Sequence, residues 1–111
     1  MTAPEQQLAV IIDLCAQAQL VDEAGRKVVF LPNMTFQAGH EAATQDLLFV
    51  PFPHSGYESR LFFTQQLSGG DARNWTQHNL LNRNWWAPSY RVDVSLSWRD
   101  QILQHIKAVA S

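Results

Sequence analysis

The sequence is poor in thiols: of its 111 residues only Cys15 carries one. No internal disulfide can form, and a reducing compartment is the expected setting. A charge of one sign is also missing. Eight basic against ten acidic side chains leave a formal charge of −2, which argues against nucleic acid or an anionic membrane as the main partner. No apolar run approaches the ~20 residues that a membrane-spanning helix needs. Met1 to Gln7 combines neither a basic nor an apolar stretch, so no signal peptide is expected. There are no repeats and no low-complexity segments. The apolar fraction of 46% suffices for one core, and the length suits one domain over residues 1–111. A soluble, cytoplasmic protein is the expectation.

The punctuation along the chain predicts an α+β layout. Thr2 and Glu5 read as a capping box around Pro4. Leu8, Ile11, Ile12 and Cys15 then recur at helical spacing, which extends the first helix to about Gln19. Glu23-Ala24-Gly25 is a turn. Lys27 to Phe36 reads as a strand, with Pro32 placing it at an edge or ending it. Gln37 to Thr44 reads as a loop. Asp46 to Phe52 is a nearly continuous apolar run bounded by Pro51 and Pro53, hence a buried strand. His54-Ser55-Gly56 is a turn before a strand over Arg60 to Gln66, with Leu61 and Phe63 on one face and Phe62 and Thr64 on the other. Ser68 to Asp71 is the strongest break, and an irregular aromatic segment is expected from there to about Val94. Ser97 caps a last helix whose stripe is Trp98, Ile102, Ile106 and Val109, thickened by Leu103, with Lys107 suited to the dipole of the final turn. The result is an antiparallel meander of three or four strands with helices packed on one face.

Few residues stand out as chemistry. Cys15 shares a face with Leu8, Ile11 and Ile12, which favours core packing over nucleophilic work. His40, His54, His78 and His105 show no metal-ligand spacing and no cysteine partners, so no metal or other cofactor is expected. His40 and His54 read as solvated loop residues and His105 as a surface or boundary residue. Gly69-Gly70 lacks the lysine and helix of a phosphate cradle. Arg60, Arg73 and Arg83 could bind an anion, but on three separate segments they fit ordinary surface charges or carboxylate partners as well. Trp75, Trp85 and Trp86 either stack on a ligand or roof the core where regular structure runs out.

The words themselves carry a resemblance. Pro51-Phe52-Pro53-His54-Ser55-Gly56-Tyr57-Glu58-Ser59-Arg60-Leu61-Phe62-Phe63, then Asn74-Trp75, then Arg83-Asn84-Trp85-Trp86-Ala87-Pro88-Ser89-Tyr90, then a helix ending His105-Ile106-Lys107-Ala108 together resemble the prokaryotic E2 family E. That family is a branch of the ubiquitin-conjugating-enzyme superfamily. The resemblance implies a ubiquitin-conjugating-enzyme-like fold: an N-terminal helix, an antiparallel strand meander, a loop-rich catalytic segment and a C-terminal helix. It implies a bacterial ubiquitin-like conjugation system, with a ubiquitin-like protein and an E1-like adenylating enzyme as partners. It also implies that the N-terminal helix docks the activating enzyme. Trp75 to Tyr90 would form the groove, with Trp75, Trp85, Trp86, Ser89 and Tyr90 binding, and Tyr57, Ser59 and Arg60 would hold the strand turn against it.

The chain departs from the family pattern at the position of the thiol. In classical members the cysteine lies eight residues before the Trp of a Trp-x-Pro element. Trp86-Ala87-Pro88 puts His78 there, and the alternative register on Trp85 puts Gln77 there. The His-Pro-Asn tripeptide is also missing. Three possibilities follow: a non-catalytic variant, an E2-like transferase that acts through His78 or Thr76, or a domain that assists a partner's cysteine. A neutral imidazole can attack a carbonyl; a hydroxyl needs an adjacent base, and His78 is two residues from Thr76. A non-catalytic protein- or peptide-binding module is the alternative from another class, and a small-ligand pocket lined by tryptophans is a third.

Overall fold

Apolar side chains on both faces of three consecutive strands fix the centre of the molecule. In the computed structural model, which describes residues 3–67 and 73–110, the elements run α1 (Pro4–Ile11), β1 (Gln19–Glu23), β2 (Arg26–Ala38), β3 (Glu41–Val50), β4 (Arg60–Phe63), β5 (Thr76–Leu80), β6 (Arg83–Ala87) and α2 (Trp98–Ala110). The strands form one sheet in the order β1-β2-β3-β4-β6-β5, with every pairing antiparallel. Val29, Leu31, Leu47, Phe49, Leu61 and Phe63 face one way and meet Ile11, Ile102 and Val109 of the two helices. Their neighbours Val28, Leu48, Val50 and Phe62 face the other way and meet Leu80, Trp85 and Ala87 of β5 and β6. The continuous apolar run of β3 is explained by this: all of Leu47, Leu48, Phe49 and Val50 are buried.

The second face is covered by the sheet itself. Hairpin β5–β6 joins β4 through the pair Phe63–Trp86 and curls over. The ring of Trp85 reaches Phe30 of β2 (6.4 Å between centroids). Arg83 reaches Asp46 of β3 (3.5 Å), and the N–H of Leu81 donates to Glu23 beside the β1–β2 turn (2.9 Å). The indole N–H of Trp85 is satisfied by the Leu80 carbonyl (3.0 Å), so this large ring is buried without a polar penalty.

Two-residue turns set the registers. Ala24 and Gly25 close β1–β2 with φ of 52° and 82°, and Leu81 and Asn82 close β5–β6 with φ of 53° and 58°. Positive φ at both positions matches the twist of the flanking strands. Between Leu31 and Met34 strand β2 carries an extra residue relative to β3. Asn33 there has φ of 52°, and its N–H is held by Asp46 Oδ1 (2.9 Å). At α2, Ser97 Oγ accepts the N–H of Asp100 (3.2 Å), the cap expected at that position.

Several expectations need correction. α1 ends at Ile11, and Gln19 already opens a strand. Cys15 lies beyond the helix, yet it is buried in the core and donates its S–H to the Pro32 carbonyl (3.5 Å). Strand β2 runs on through Pro32 because the proline sits at the bulge. There β1 has already stopped pairing, at Gln19–Phe30, so the missing N–H costs no bond to β1. The expected loop over Gln37 to Thr44 is a tight hairpin between Ala38 and Glu41. Residues 76–87 are not irregular but form β5 and β6. Leu103 is among the exposed apolar side chains, while His105 is buried at 4% exposure. Thr2 and Ser68 to Asp71 lie outside the described residues. Gln6 Oε1 accepts the N–H of Ala3 at the start of α1 (3.2 Å).

Two substitutions check this packing. Trp85→Ala should destabilise by about 3–5 kcal/mol. Cys15→Ser should cost about 1–2 kcal/mol from a buried hydroxyl. Both are measured by urea unfolding monitored by circular dichroism.

Candidate functional site

Residues two apart on a strand share a face, so β5 presents Thr76 and His78 side by side. Thr76 Oγ1 lies 2.7 Å from His78 Nε2. The His78 ring stands edge-on to Phe62 of β4 (5.3 Å) and to His54 (5.2 Å), and His54 meets Phe62 at 5.4 Å. His54 reaches this cluster because Ser55 and Gly56, at φ of 52° and 87°, fold the chain back so that His54 pairs with Tyr57. Ser55 Oγ lies 3.1 Å from His54 Nδ1.

Burial and neighbouring charge both lower the pKa of the two imidazoles, which favours their neutral forms at pH 7. Burial lowers the His78 pKa below 6.5, and the charges of Arg60 and His54 push it the same way. His54 is lowered by burial and then by Arg60, against an opposing pull from Glu23. A neutral His78 Nε2 can accept a proton from the hydroxyl of Thr76, an exposed residue at the start of the strand. Among the described residues no group of three or more His, Cys, Asp or Glu side chains could hold a metal ion. No helix of theirs is long and apolar enough to cross a membrane.

Arg60 ties this corner together. It is 3% exposed, and its Nη2 donates to the carbonyls of Ala87 (3.4 Å) and Pro88 (3.1 Å) at the end of β6. Its guanidinium lies over Tyr57 (4.5 Å) and Phe62 (5.7 Å), and Arg91 lies over the same Tyr57 ring (4.6 Å). Tyr57 and Arg60 thus do connect the strand turn to the segment after β6. Ser59 points the other way, with its Oγ 3.5 Å from His105 Nε2 on α2.

The tryptophans do not form a common lining. Trp85 is wholly buried. Trp75 packs on Phe63 over the helix-side core (5.4 Å). Trp86 is half-buried opposite Gln77 and Phe63. Ser89 is fixed by its N–H to the Arg73 carbonyl (2.8 Å), and Tyr90 stands 6.3 Å from the His105 ring. A cleft of about 710 Å³ lies elsewhere, between Gln7 and Val10 of α1, Pro51, Val94, Trp98 and Gln101. None of Thr76, His78, Trp75, Trp85 or Trp86 lines it.

Sequence reasoning missed His54 and His105. The two-residue turn Ser55-Gly56 was the available signal for His54, since such a turn sets its flanking residues face to face. His105 follows Trp98 by two helical turns, and Gln101, His105 and Ala108 widen the buried stripe. Its ring contacts Phe49 and Tyr90, and burial, with a smaller contribution from Arg60, lowers its pKa to about 3.

A histidine whose folded pKa lies near 3 and whose unfolded pKa is about 6.5 binds fewer protons when folded throughout that interval. Stability is therefore complete above pH 6.5 and is lost progressively as the pH falls toward 3, at up to about 1.4 kcal/mol per pH unit. Urea unfolding between pH 7 and 4 should show this slope, and His105→Gln should flatten it, with His54 and His78 leaving a smaller residue of the same sign. No family model, curated protein or solved structure matches the chain.

Proposed function

We propose that the chain is an E2-like component of a bacterial ubiquitin-like conjugation system, one that works without a cysteine at the usual position. The observation that carries this reading is the 2.7 Å contact between Thr76 Oγ1 and His78 Nε2, at the position to which the family resemblance assigns the thiol. The order of elements agrees: a leading helix, an unbroken antiparallel meander β1–β4, then the site-bearing segment and a closing helix. One difference is that the site-bearing segment is a β-hairpin rather than a loop.

In this mechanism Thr76 Oγ attacks the thioester carbonyl that links the ubiquitin-like protein to its E1-like activating enzyme. An O–C bond forms, the C–S bond breaks, and the proton passes from the hydroxyl to His78 Nε2 and on to the departing thiolate. An amine then attacks the oxyester carbonyl: a C–N bond forms, the C–O bond to Thr76 breaks, and a proton from the amine passes by way of His78 to restore the Thr76 hydroxyl. Burial, and to a lesser degree the Arg60 charge, lowers the His78 pKa and favours the unprotonated ring.

A second reading, a non-catalytic protein-binding module, is favoured by a separate observation. Val10 and Ile12 at the end of α1 are 49% and 45% exposed, a small apolar surface suited to a partner.

The test is incubation with the ubiquitin-like protein, the activating enzyme and ATP. The expected product is an adduct that survives thiol reductant, is released by alkaline hydroxylamine, and is absent from Thr76→Ala. In His78→Ala the rate of adduct formation should fall about 10²- to 10⁴-fold. The wild-type rate should hold from pH 8 to pH 6.5 and decline only below, because the His78 pKa is lowered. Binding without any adduct sinks the transferase reading and leaves the module.

A further inference from the structure

We infer that the cleft between α1 and the start of α2 is a binding site for a small uncharged carboxamide with an apolar body. Its volume of about 710 Å³ lies within the range of small-molecule pockets. Apolar side chains from three segments meet there: Val10 on α1, Pro51 after β3, and Val94, Leu96 and Trp98 leading into α2. Val10 and Val94 are 49% and 42% exposed. They come from different segments, so their convergence on one recess is a product of the fold. Such surface is what the apolar body of a ligand covers.

A second, independent observation is polar. Gln101 also lines the cleft, and it is buried at 4% exposure. Its Nε2 donates to the carbonyls of Leu96 (2.9 Å) and Val94 (3.4 Å), which fixes the orientation of the amide. Its Oε1 is buried with no hydrogen-bond partner, and a buried acceptor left unpaired is costly. The bond to Val94 is longer than the usual range. A tilt about the shorter bond to Leu96 turns Oε1 toward the cleft at the expense of that long contact alone. The site therefore calls for a donor.

The remaining lining selects the class of ligand. Among the described residues no charged side chain lines the cleft. The charges nearest in sequence are engaged elsewhere: Asp93 by Ser95, and Arg99 by Asp13 and Asp100. An ion would lose water there without gaining a counter-charge, so the donor belongs to a neutral group. Gln7 Oε1 accepts the N–H of Trp98 (3.1 Å), which leaves Nε2 to donate. Ser97 Oγ accepts the N–H of Asp100 (3.2 Å), which leaves its hydroxyl proton to donate. Both residues line the cleft. An acceptor and two donors around an apolar recess complement a carboxamide, which carries N–H and C=O on separate atoms of one plane. Neither Thr76 nor His78 lines the cleft, so the inference does not depend on acyl transfer.

The test titrates benzamide into the ¹⁵N-labelled full chain at pH 7 and follows the Gln101 side-chain amide and the Trp98 indole N–H by NMR. Both should shift saturably. Acetophenone, which keeps the ring and the carbonyl but lacks the N–H, should bind at least about tenfold more weakly, because Gln101 Oε1 stays unpaired. Benzoate, with its charge, and benzyl alcohol, with one oxygen for both roles, should also bind at least about tenfold more weakly. Val10→Ser, an exposed change, should weaken benzamide by about threefold through lost apolar contact. Gln101→Met, checked for folding by circular dichroism and read at Trp98, should bring benzamide and acetophenone to within about twofold of each other. The absence of a saturable shift at Gln101 and Trp98 overturns the site. Affinity for acetophenone, benzoate or benzyl alcohol equal to that for benzamide overturns the carboxamide class. A folded Gln101→Met chain that keeps the preference overturns the part given to Gln101. If that variant does not fold, the comparison of the four compounds on the unsubstituted chain decides alone.

Discussion

Burial of β3 on both of its faces is the constraint from which the rest of the architecture follows. A strand with Leu47, Leu48, Phe49 and Val50 in succession has no side to offer to water, so each face needs a cover. The helices supply one cover through Ile11, Ile102 and Val109. Residues 76–87, between β4 and the last helix, supply the other. They form a hairpin that curls over the second face and seals it with Trp85. The hydrophobic gain on each side is proportional to the apolar area removed from water, and the curl brings Thr76, His78, His54 and Arg60 to one corner.

That corner illustrates how one interior charge organises several side chains. Arg60 braces the end of β6 through two backbone carbonyls. The same positive charge disfavours protonation of His54, His78 and, across the sheet, His105. Burial is the larger cause for each of the three, and together with this charge it favours the neutral imidazole. A neutral imidazole is the form that can accept a proton from a neighbouring hydroxyl.

The α+β class, the antiparallel strands, the capped last helix and the two faces of Arg60–Phe63 were legible in the sequence because each is written locally. Ser97 precedes its helix by one residue, and Leu61 and Phe63 alternate with Phe62. The errors arose where distant packing overrode local pattern. Gln101 and His105 are polar, so a stripe counted from apolar residues alone stopped short of them, although both are buried. Thr76 to Ala87 offers few strand-like alternations, since Trp85 and Trp86 face opposite ways and the turn at Leu81-Asn82 contains no glycine. It is pinned by Glu23, 58 positions away. The adjacency of Thr76 and His78 could be anticipated from their spacing, but the approach of His54 and Arg60 depends on the curl, which no local signal records.

The extra residue in β2 has a consequence of its own. Before it, odd-numbered Val29 and Leu31 point toward the helices; after it, even-numbered Met34 and Phe36 do. The strand is thus two segments of opposite parity joined at Pro32-Asn33, like a reading frame shifted by one letter. Removing a single letter there would turn Met34 and Phe36 outward and Thr35 inward along the whole distal arm. The length of that junction, more than the identity of its side chains, therefore sets which side chains of the distal arm enter the core.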